Sequence, residues 1–233
     1  MREAIVLAGG LGTRLRSVTN DAMPKPMAEV ANRPFLYYVL RQLKRWNTER
    51  VVLSVGFKHE MIRDHFTDRF LQMDLVYSVE AEPLGTGGAI RQSLTHINGN
   101  DCFILNGDSF FDADLDALEQ LRVSHDADLT MALKHVEKSD RYGTVELDAQ
   151  NRLLQFNEKQ YVEAGFVNAG IYVSTKALLD KMPNEKKFSF EQDYLKPFAQ
   201  RDKIYGLPGD GYFIDIGVPD DYAKANKDFV TEV

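Results

Sequence analysis

Two short segments near the start of the chain carry residue types that can handle phosphate. The run GGLGTR, Gly9–Arg14, directly follows the apolar stretch AIVLA, Ala4–Ala8. Glycines at a strand end let the backbone turn sharply and approach a ligand, and successive N–H groups can then cradle phosphate oxygens. The run does not end in the Gly-Lys-Ser/Thr of a Walker A loop. Thr13, Arg14 and Leu15 stand where a dinucleotide fingerprint would need its third glycine. On this segment alone a plain strand-to-helix turn stays open. The second segment is Pro24-Lys25-Pro26. A lysine between two prolines has a stiff backbone and is kept out of a helix interior, so its ammonium is presented from a rigid loop. A solvated surface lysine is the alternative. The five histidines show neither metal-ligand nor triad spacing, and the one cysteine, Cys102, sits in the apolar run CFILN and reads as core.

These segments need a scaffold, and the hydrophobic pattern supplies one. Short apolar runs at Ala4–Ala8, Val51–Val55, Leu75–Glu80 and Cys102–Asn106 read as strands. Between them, Pro34–Trp46 reads as a helix with Phe35, Val39, Leu43 and Trp46 on one face and Pro34 near its first position. His59–Phe66 reads as a second helix, and Gly87–Leu94 opens a third. This alternation predicts an α/β protein, a Rossmann-like three-layer sandwich with a mostly parallel central sheet and helices on both faces. The second half changes character. Leu129–Val136, Thr144–Asp148, Arg152–Glu158 and Phe166–Ser174 are strand-like, with turn residues between, and imply an antiparallel or mixed extension of the same sheet. Phe190–Ala199 and Pro219–Val230 read as helices. Ligands sit beyond the carboxyl ends of parallel strands, which puts Gly9, Glu80 and Asp108 along one rim.

Composition bounds the partners. The chain has 233 residues, no visible linker and no internal repeat, and reads as one domain, 1–233. A formal net charge of −7 argues against a nucleic-acid surface, which needs clustered Lys and Arg. A triphosphate can still bind where local cations and backbone N–H groups reverse the field. One cysteine permits no intramolecular disulfide, as expected in the cytoplasm. The apolar run at the N-terminus is too short for a signal peptide, and no stretch is long enough to span a membrane.

Taken together, Gly10–Leu15 and Pro24–Pro26 resemble the GxGTRL and PKP signature of the sugar nucleotidyltransferases. The resemblance continues in order through EPLGTGGAI (Glu82–Ile90), LNGDSFF (Leu105–Phe111), YGTV (Tyr142–Val145), NEK (Asn157–Lys159), FVNAGIY (Phe166–Tyr172) and FIDIGVPDDY (Phe213–Tyr222). It implies the nucleotide-diphospho-sugar transferase fold, with residues 1–110 as the nucleotide half and 111–233 as the sugar-phosphate half. It also implies a reaction: an oxygen of a sugar 1-phosphate attacks the α-phosphorus of a nucleoside triphosphate, and pyrophosphate leaves. EPLGTGGAI, DRYGTV and YFIDIGVPDDY point within the family to members that use GTP and D-glycero-α-D-manno-heptose 1-phosphate, with mannose 1-phosphate as the alternative.

The resemblance assigns roles by position. Leu7, Gly9, Gly10, Gly12, Thr13, Gly85 and Gly88 would line the nucleotide. Lys25 would meet the α-phosphate, and Arg14 would hold the leaving pyrophosphate with its guanidinium fork. Asp108 and Asp215, each after an apolar run, would ligate Mg²⁺, with Asp112 as the competing carboxylate. Lys159 would hold the sugar phosphate, Glu158 would accept sugar hydroxyl hydrogen bonds, and Asn168 and the backbone near Gly143 would complete the pocket. Glu158-Lys159 alone could equally be solvated surface charge. Glu80 would read the base, because an acceptor-only carboxylate can take both N1–H and the N2 amino group of guanine; Glu82 is the rival. Two other classes compete: a regulatory subunit that has lost chemistry, which should lack Lys25, Asp108 or Asp215, and a nicotinamide-dependent dehydrogenase, which should carry the third fingerprint glycine. Oligomeric state is left open, a homo-oligomer included.

Overall fold

The computed structural model describes residues 1–10, 15, 22–139, 141–159 and 161–230, without the side chains of 139, 158, 159 and 179. The frame is a set of parallel strands in the order β7-β1-β4-β6: β7 (Asp101–Asn106), β1 (Arg2–Leu7), β4 (Thr48–Val55) and β6 (Met73–Val79). β1, β7 and the second half of β4 are buried on both faces, which is why they read as continuous apolar runs, whereas β6, nearer the edge, exposes Asp74 and Val79. The short strand β5 (Arg69–Phe70) closes one edge antiparallel to β6.

Beyond β7 the sheet turns antiparallel. β12 (Val162–Thr175) pairs with β7 through its second half, and with β9 (Leu129–Ser139) along nearly its whole length. β10 (Gly143–Leu147) and β11 (Leu153–Lys159) extend the sheet past β12. β13 (Ile204–Gly209) lies parallel to β9 at an edge, where Pro208 and two glycines are tolerated. Two small antiparallel ribbons stand apart. β2 (Glu29–Val30) pairs with β3 (Arg33–Pro34), and β8 (Ser109–Phe111) pairs with β14 (Phe213–Asp215).

Helices cover both faces, completing the expected three layers. On one face α1 (Phe35–Arg45), α2 (His59–Phe66), α4 (Leu115–Ser124) and the C-terminal helix α7 (Pro219–Asp228) bury residues such as Phe35, Leu40, Phe66, Leu118 and Ala225. On the other, α3 (Gly85–Leu94), α5 (Leu178–Lys181) and a π-helical segment (Phe190–Leu195) running into α6 (Lys196–Phe198) bury Ile90, Leu94, Leu178, Phe190 and Tyr194. The α1 stripe is wider than the sequence pattern implied, adding Leu36, Tyr38, Leu40 and Gln42, and Pro34 caps the helix from outside it. The segment read as a plain helix from Phe190 begins as a π-helix. Pro197 has no N–H to give, and its ring crowds the carbonyl four residues back, which disfavours a regular α-ladder there. No helix among the described residues is long and apolar enough to cross a membrane. Cys102 is buried, and burial pushes its thiol up to about 12, so it behaves as core.

Glu3 fastens the far end of the frame. Only 1% exposed, it accepts hydrogen bonds from the Asn98 N–H at 2.9 Å and from Arg50 at 2.6 Å, and also from the Gly99 N–H. Burial pushes its carboxyl up, but the backbone donors and the guanidinium outweigh burial and hold it below its ordinary 4.5. Its contribution to stability is therefore complete above that ordinary value and lost as pH falls through the folded value. Glu3→Gln should cost about 1–3 kcal/mol at neutral pH. In urea unfolding the gap between variant and parent should narrow below about pH 4; a gap that stays constant into acid would contradict this account.

Candidate active site

The carboxyl ends of the four parallel strands form one rim. The Ala8 N–H donates to the Ser54 carbonyl (2.7 Å), the Glu80 N–H to the Val55 carbonyl (2.8 Å), and the Gly107 N–H to the Leu7 carbonyl (2.9 Å). These bonds fix Leu7–Gly9, Glu80 and Asn106–Asp108 side by side, as the parallel-strand rule requires. A cleft of about 550 Å³ opens above them. Its lining includes Leu7, Gly9, Gly10, Lys25, Glu80, Gly85, Asp108, Gly143, Asn168 and Asp215, ten of the residues singled out from sequence.

At one end of the cleft Lys25 is held between two carboxylates. Its Nζ donates to Asp108 Oδ2 at 2.8 Å and to Asp215 Oδ1 at 3.2 Å, and the residue is only 6% exposed. Lys25–Met27 forms one 3₁₀ turn, closed by the Met27 N–H on the Pro24 carbonyl (2.9 Å) and the Ala28 N–H on the Lys25 carbonyl (3.0 Å). The expected loop is thus a single tight turn. Pro24 caps it, and Pro26 lies in its first turn, where a missing N–H costs nothing. The two aspartates, far apart in sequence, meet through the ribbon β8–β14. Asp215 pairs with Ser109, and the Ile216 N–H donates to the Asp108 carbonyl at 3.1 Å. The Gly217 N–H also donates to Asp215 Oδ1, at 2.7 Å. Asp112, the competing carboxylate, lies outside the lining and pairs with Arg45 at 2.9 Å.

Glu80 stands at another part of the lining. Its Oε2 accepts the Leu84 N–H at 3.0 Å, and its Oε1 accepts from Ser54 Oγ at 3.3 Å. A Cβ on Gly9 would lie 2.4 Å from Oε1, so a larger residue there would displace the carboxylate from this position. Glu82 is exposed and turned away, in an ion pair with Lys186 that holds its carboxyl below the usual range.

The LGTGG glycines serve a purpose the sequence reading did not see. A Cβ on Gly85 would lie 2.5 Å from the Phe188 carbonyl oxygen, and one on Gly88 2.4 Å from the Lys186 carbonyl oxygen; one on Gly87 would enter the Phe188 ring. The Phe188 N–H donates to the Leu84 carbonyl (3.0 Å), the Gly87 N–H to the Phe188 carbonyl (3.0 Å), and the Phe190 N–H to Thr86 Oγ1 (2.9 Å). The glycines admit a strap from the second half of the chain. Gly85 and Thr86 still face the cleft, whereas Gly88 does not.

Gly12, Thr13 and Arg14 lie outside the described residues, as do the side chains of Glu158 and Lys159, whose backbone runs in β11. The structure adds lining residues to which the sequence had given no individual role: Ile90 and Ser109 within the quoted motifs, and Phe190 and Glu191 outside them. Among the described residues no group of three or more His, Cys, Asp or Glu side chains is placed to hold a metal. What the cleft offers is a cation between two hard carboxylates at one place and an acceptor-only carboxylate at another.

The residue types gathered at this rim suit the handling of phosphate groups, and comparison with known proteins points the same way. Residues 3–232 match the nucleotidyl transferase family model, and the chain belongs to that family. It is 47% identical over 227 residues to the D-glycero-alpha-D-manno-heptose 1-phosphate guanylyltransferase of Aneurinibacillus thermoaerophilus, covering 97% of each. The enzyme of the same name from Campylobacter jejuni is 43% identical over 220 residues, with 94% of this chain and 96% of that one covered. The crystal structure of HddC from Yersinia pseudotuberculosis complexed with GMP-PN superposes with a TM-score of 0.86 at 35% identity, covering 98% of this chain and 100% of that one.

The strap generates a prediction. Gly88→Ala would drive a methyl group into backbone, so the fold should lose about 1–3 kcal/mol. Thermal unfolding checks this. A variant as stable as the parent but weakened in nucleotide binding would return Gly88 to the nucleotide.

Proposed function

We propose that the cleft joins GTP to a sugar 1-phosphate, transferring GMP and releasing pyrophosphate. The sugar in this reading is D-glycero-α-D-manno-heptose 1-phosphate, the product is GDP-heptose, and the compartment is the cytoplasm. The observation that carries the reading is the buried Lys25 ammonium held by Asp108 and Asp215 at the cleft wall. The names of the two bacterial relatives, and the GMP-PN bound to HddC, support the choice of base and sugar.

Both substrates are anions, so the obstacle is charge repulsion and not proton transfer. A sugar phosphate is ionised near neutral pH and needs no general base to attack the α-phosphorus. Positioning and charge then supply the rate. Lys25, preset by its two prolines, neutralises charge that builds on the transferring phosphoryl group. Arg14 holds the leaving pyrophosphate, and Lys159 holds the phosphate of the sugar. Asp108 and Asp215 suit Mg²⁺: their oxygens converge on one cation, the Lys25 ammonium, and hard carboxylates with room for water and phosphate oxygens match that ion's preference. When bound, Mg²⁺ would offset phosphate charge.

Glu80 reads the base. Each of its oxygens accepts one hydrogen bond within the protein, and a carboxylate has about four lone-pair sites, so capacity remains for two guanine donors. Uracil would place a carbonyl oxygen against the same carboxylate.

A pyrophosphate-release matrix of nucleoside triphosphates against sugar 1-phosphates tests the reading. GTP with the heptose 1-phosphate should give the highest kcat/KM, and chelation of divalent cations should stop release. Equal or better use of mannose 1-phosphate would overturn the sugar assignment, and preference for another nucleotide the base. Glu80→Gln should cut the preference for GTP over UTP by about tenfold or more, because a wrongly paired carboxylate in the closed base site costs a few kcal/mol. If Glu82→Gln did this and Glu80→Gln did not, the base would be read by the other carboxylate.

A further inference from the structure

Four carboxylates line the described cleft: Glu80, Asp108, Glu191 and Asp215. Three have work in the proposed reaction, and Glu191 has none. A carboxylate in a cleft for two phosphate-bearing substrates is tolerated where a cation offsets its charge or where it faces hydrogen-bond donors such as hydroxyl groups. Glu191 lies in the π-helical segment of the second half, close to the β12 wall formed by Asn168, Ala169 and Tyr172. Its backbone is fixed on the N-terminal side. The Phe190 N–H is held by Thr86, Ser189 accepts the Gln192 N–H at 3.2 Å, and Asp193 accepts the Ser189 N–H at 2.7 Å.

Asn168 fixes its side chain. The Asn168 amide nitrogen donates to Glu191 Oε1 at 2.8 Å and to Tyr172 Oη at 2.6 Å, and Asn168 Oδ1 accepts the Gly170 N–H at 3.0 Å. A carboxylate can only accept and a backbone N–H can only donate, so the orientation of this amide is determined by its partners. Both side-chain donors of Asn168 are therefore committed within the protein, and its amide has no N–H to give a sugar. The turn that aims it is also built in. Gly170 has φ +76°, where an L side chain is strained, and a Cβ there would lie 2.4 Å from Asn106 Nδ2.

We propose that Glu191 accepts hydrogen bonds from hydroxyl groups of the sugar, and that Asn168 is a positioning residue acting through it. The proposal rests on reading the cleft as a sugar 1-phosphate site, whichever sugar that is. The test therefore uses the sugar 1-phosphate that the parent enzyme turns over fastest, together with its monodeoxy analogues. Parent turnover tests the wider reading, and the ratio between parent and variant tests this one.

Glu191→Ala should raise the KM for the sugar phosphate about tenfold or more, the loss of one charge-assisted hydrogen bond, and change the KM for GTP by less than about twofold. Removing the hydroxyl that Glu191 contacts should penalise the parent by a similar factor and the variant not at all. Asn168→Asp keeps the acceptor for Gly170 but sets a carboxylate against Glu191. It should raise the same KM, and the double variant Asn168→Asp plus Glu191→Ala should be no worse than Glu191→Ala alone. Glu191→Gln, nearly isosteric, carries the comparison should the alanine variant fold poorly. An unchanged sugar KM in Glu191→Ala or Glu191→Gln, deoxy analogues that penalise parent and variant alike, or additive effects in the double variant would overturn the proposal.

Discussion

The ammonium of Lys25 between Asp108 and Asp215 is the constraint around which the rest of the cleft is arranged. Two ionised carboxylates repel each other at one point unless a cation stands between them, and a buried ammonium is costly without paired oxygens. The three groups come from three distant parts of the chain, so each needs its own support. The proline-flanked 3₁₀ turn supplies the lysine. β7, buried in the parallel frame, delivers Asp108, and the β8–β14 ribbon brings Asp215 to the same place. The ribbon has three pairs only, but its outer residues are packed. Phe111 meets Phe213 edge-to-face, and Ile214 is buried in the core. Ile214 packs on the face away from the charge, whereas Phe111 and Phe213 share the face of Asp215, so apolar contacts on both sides hold the ribbon that carries it.

A second dependence joins the two halves of the chain. The first half contributes the rim and α3; the second contributes the antiparallel wall and the segment from Lys186 to Glu191. They meet where Phe188 lies against Gly85 and Gly87, and where Thr86 accepts the Phe190 N–H. Three glycines near a helix start are expensive in conformational entropy. The approach of a backbone carbonyl to within bonding distance of that helix explains them, because no Cβ fits. Thr86, Gly85, Phe190 and Glu191 all face the cleft, so the contact that unites the halves also forms part of the wall.

Much of this was legible in the sequence, for identifiable reasons. The parallel strands and α1 and α2 are marked by long apolar patterns whose period tertiary contacts do not override. The rim followed from strand direction alone, which placed Gly9, Glu80 and Asp108 together before any contact was known. Other features, besides the strap already described, were not legible. α4 has only two buried leucines at its start and a weak stripe, although Asp114 accepting the Ala117 N–H at 2.9 Å is a cap signal present in the sequence. β13 carries Pro208 and two glycines, and its pattern marks no element; its pairing with β9 is an edge arrangement that local propensity does not reveal. Glu191 sits in a stretch whose pattern gives a helix and nothing more, because its functional neighbour Asn168 is reached only through the folded sheet.

The same reasoning explains why a protein of net charge −7 can present a site for polyanions. Net charge acts over the Debye length, about 10 Å at moderate salt, whereas the site is governed by groups in direct contact. Within the described lining the acidic groups are not uniformly placed: Asp108 and Asp215 share one ammonium, Glu80 is engaged by the Leu84 N–H, and Glu191 by the Asn168 amide. Each carboxylate is held by a donor that fixes where its negative charge points. A cleft so arranged offers charge where a cation or a hydrogen-bond donor arrives and keeps it from wandering toward phosphate. In the proposed reaction that separation lets one cleft read a base and a sugar through carboxylates while holding the phosphates through cations, and the glycine-lined strap and proline-lined turn are the backbone devices that keep the two sets apart.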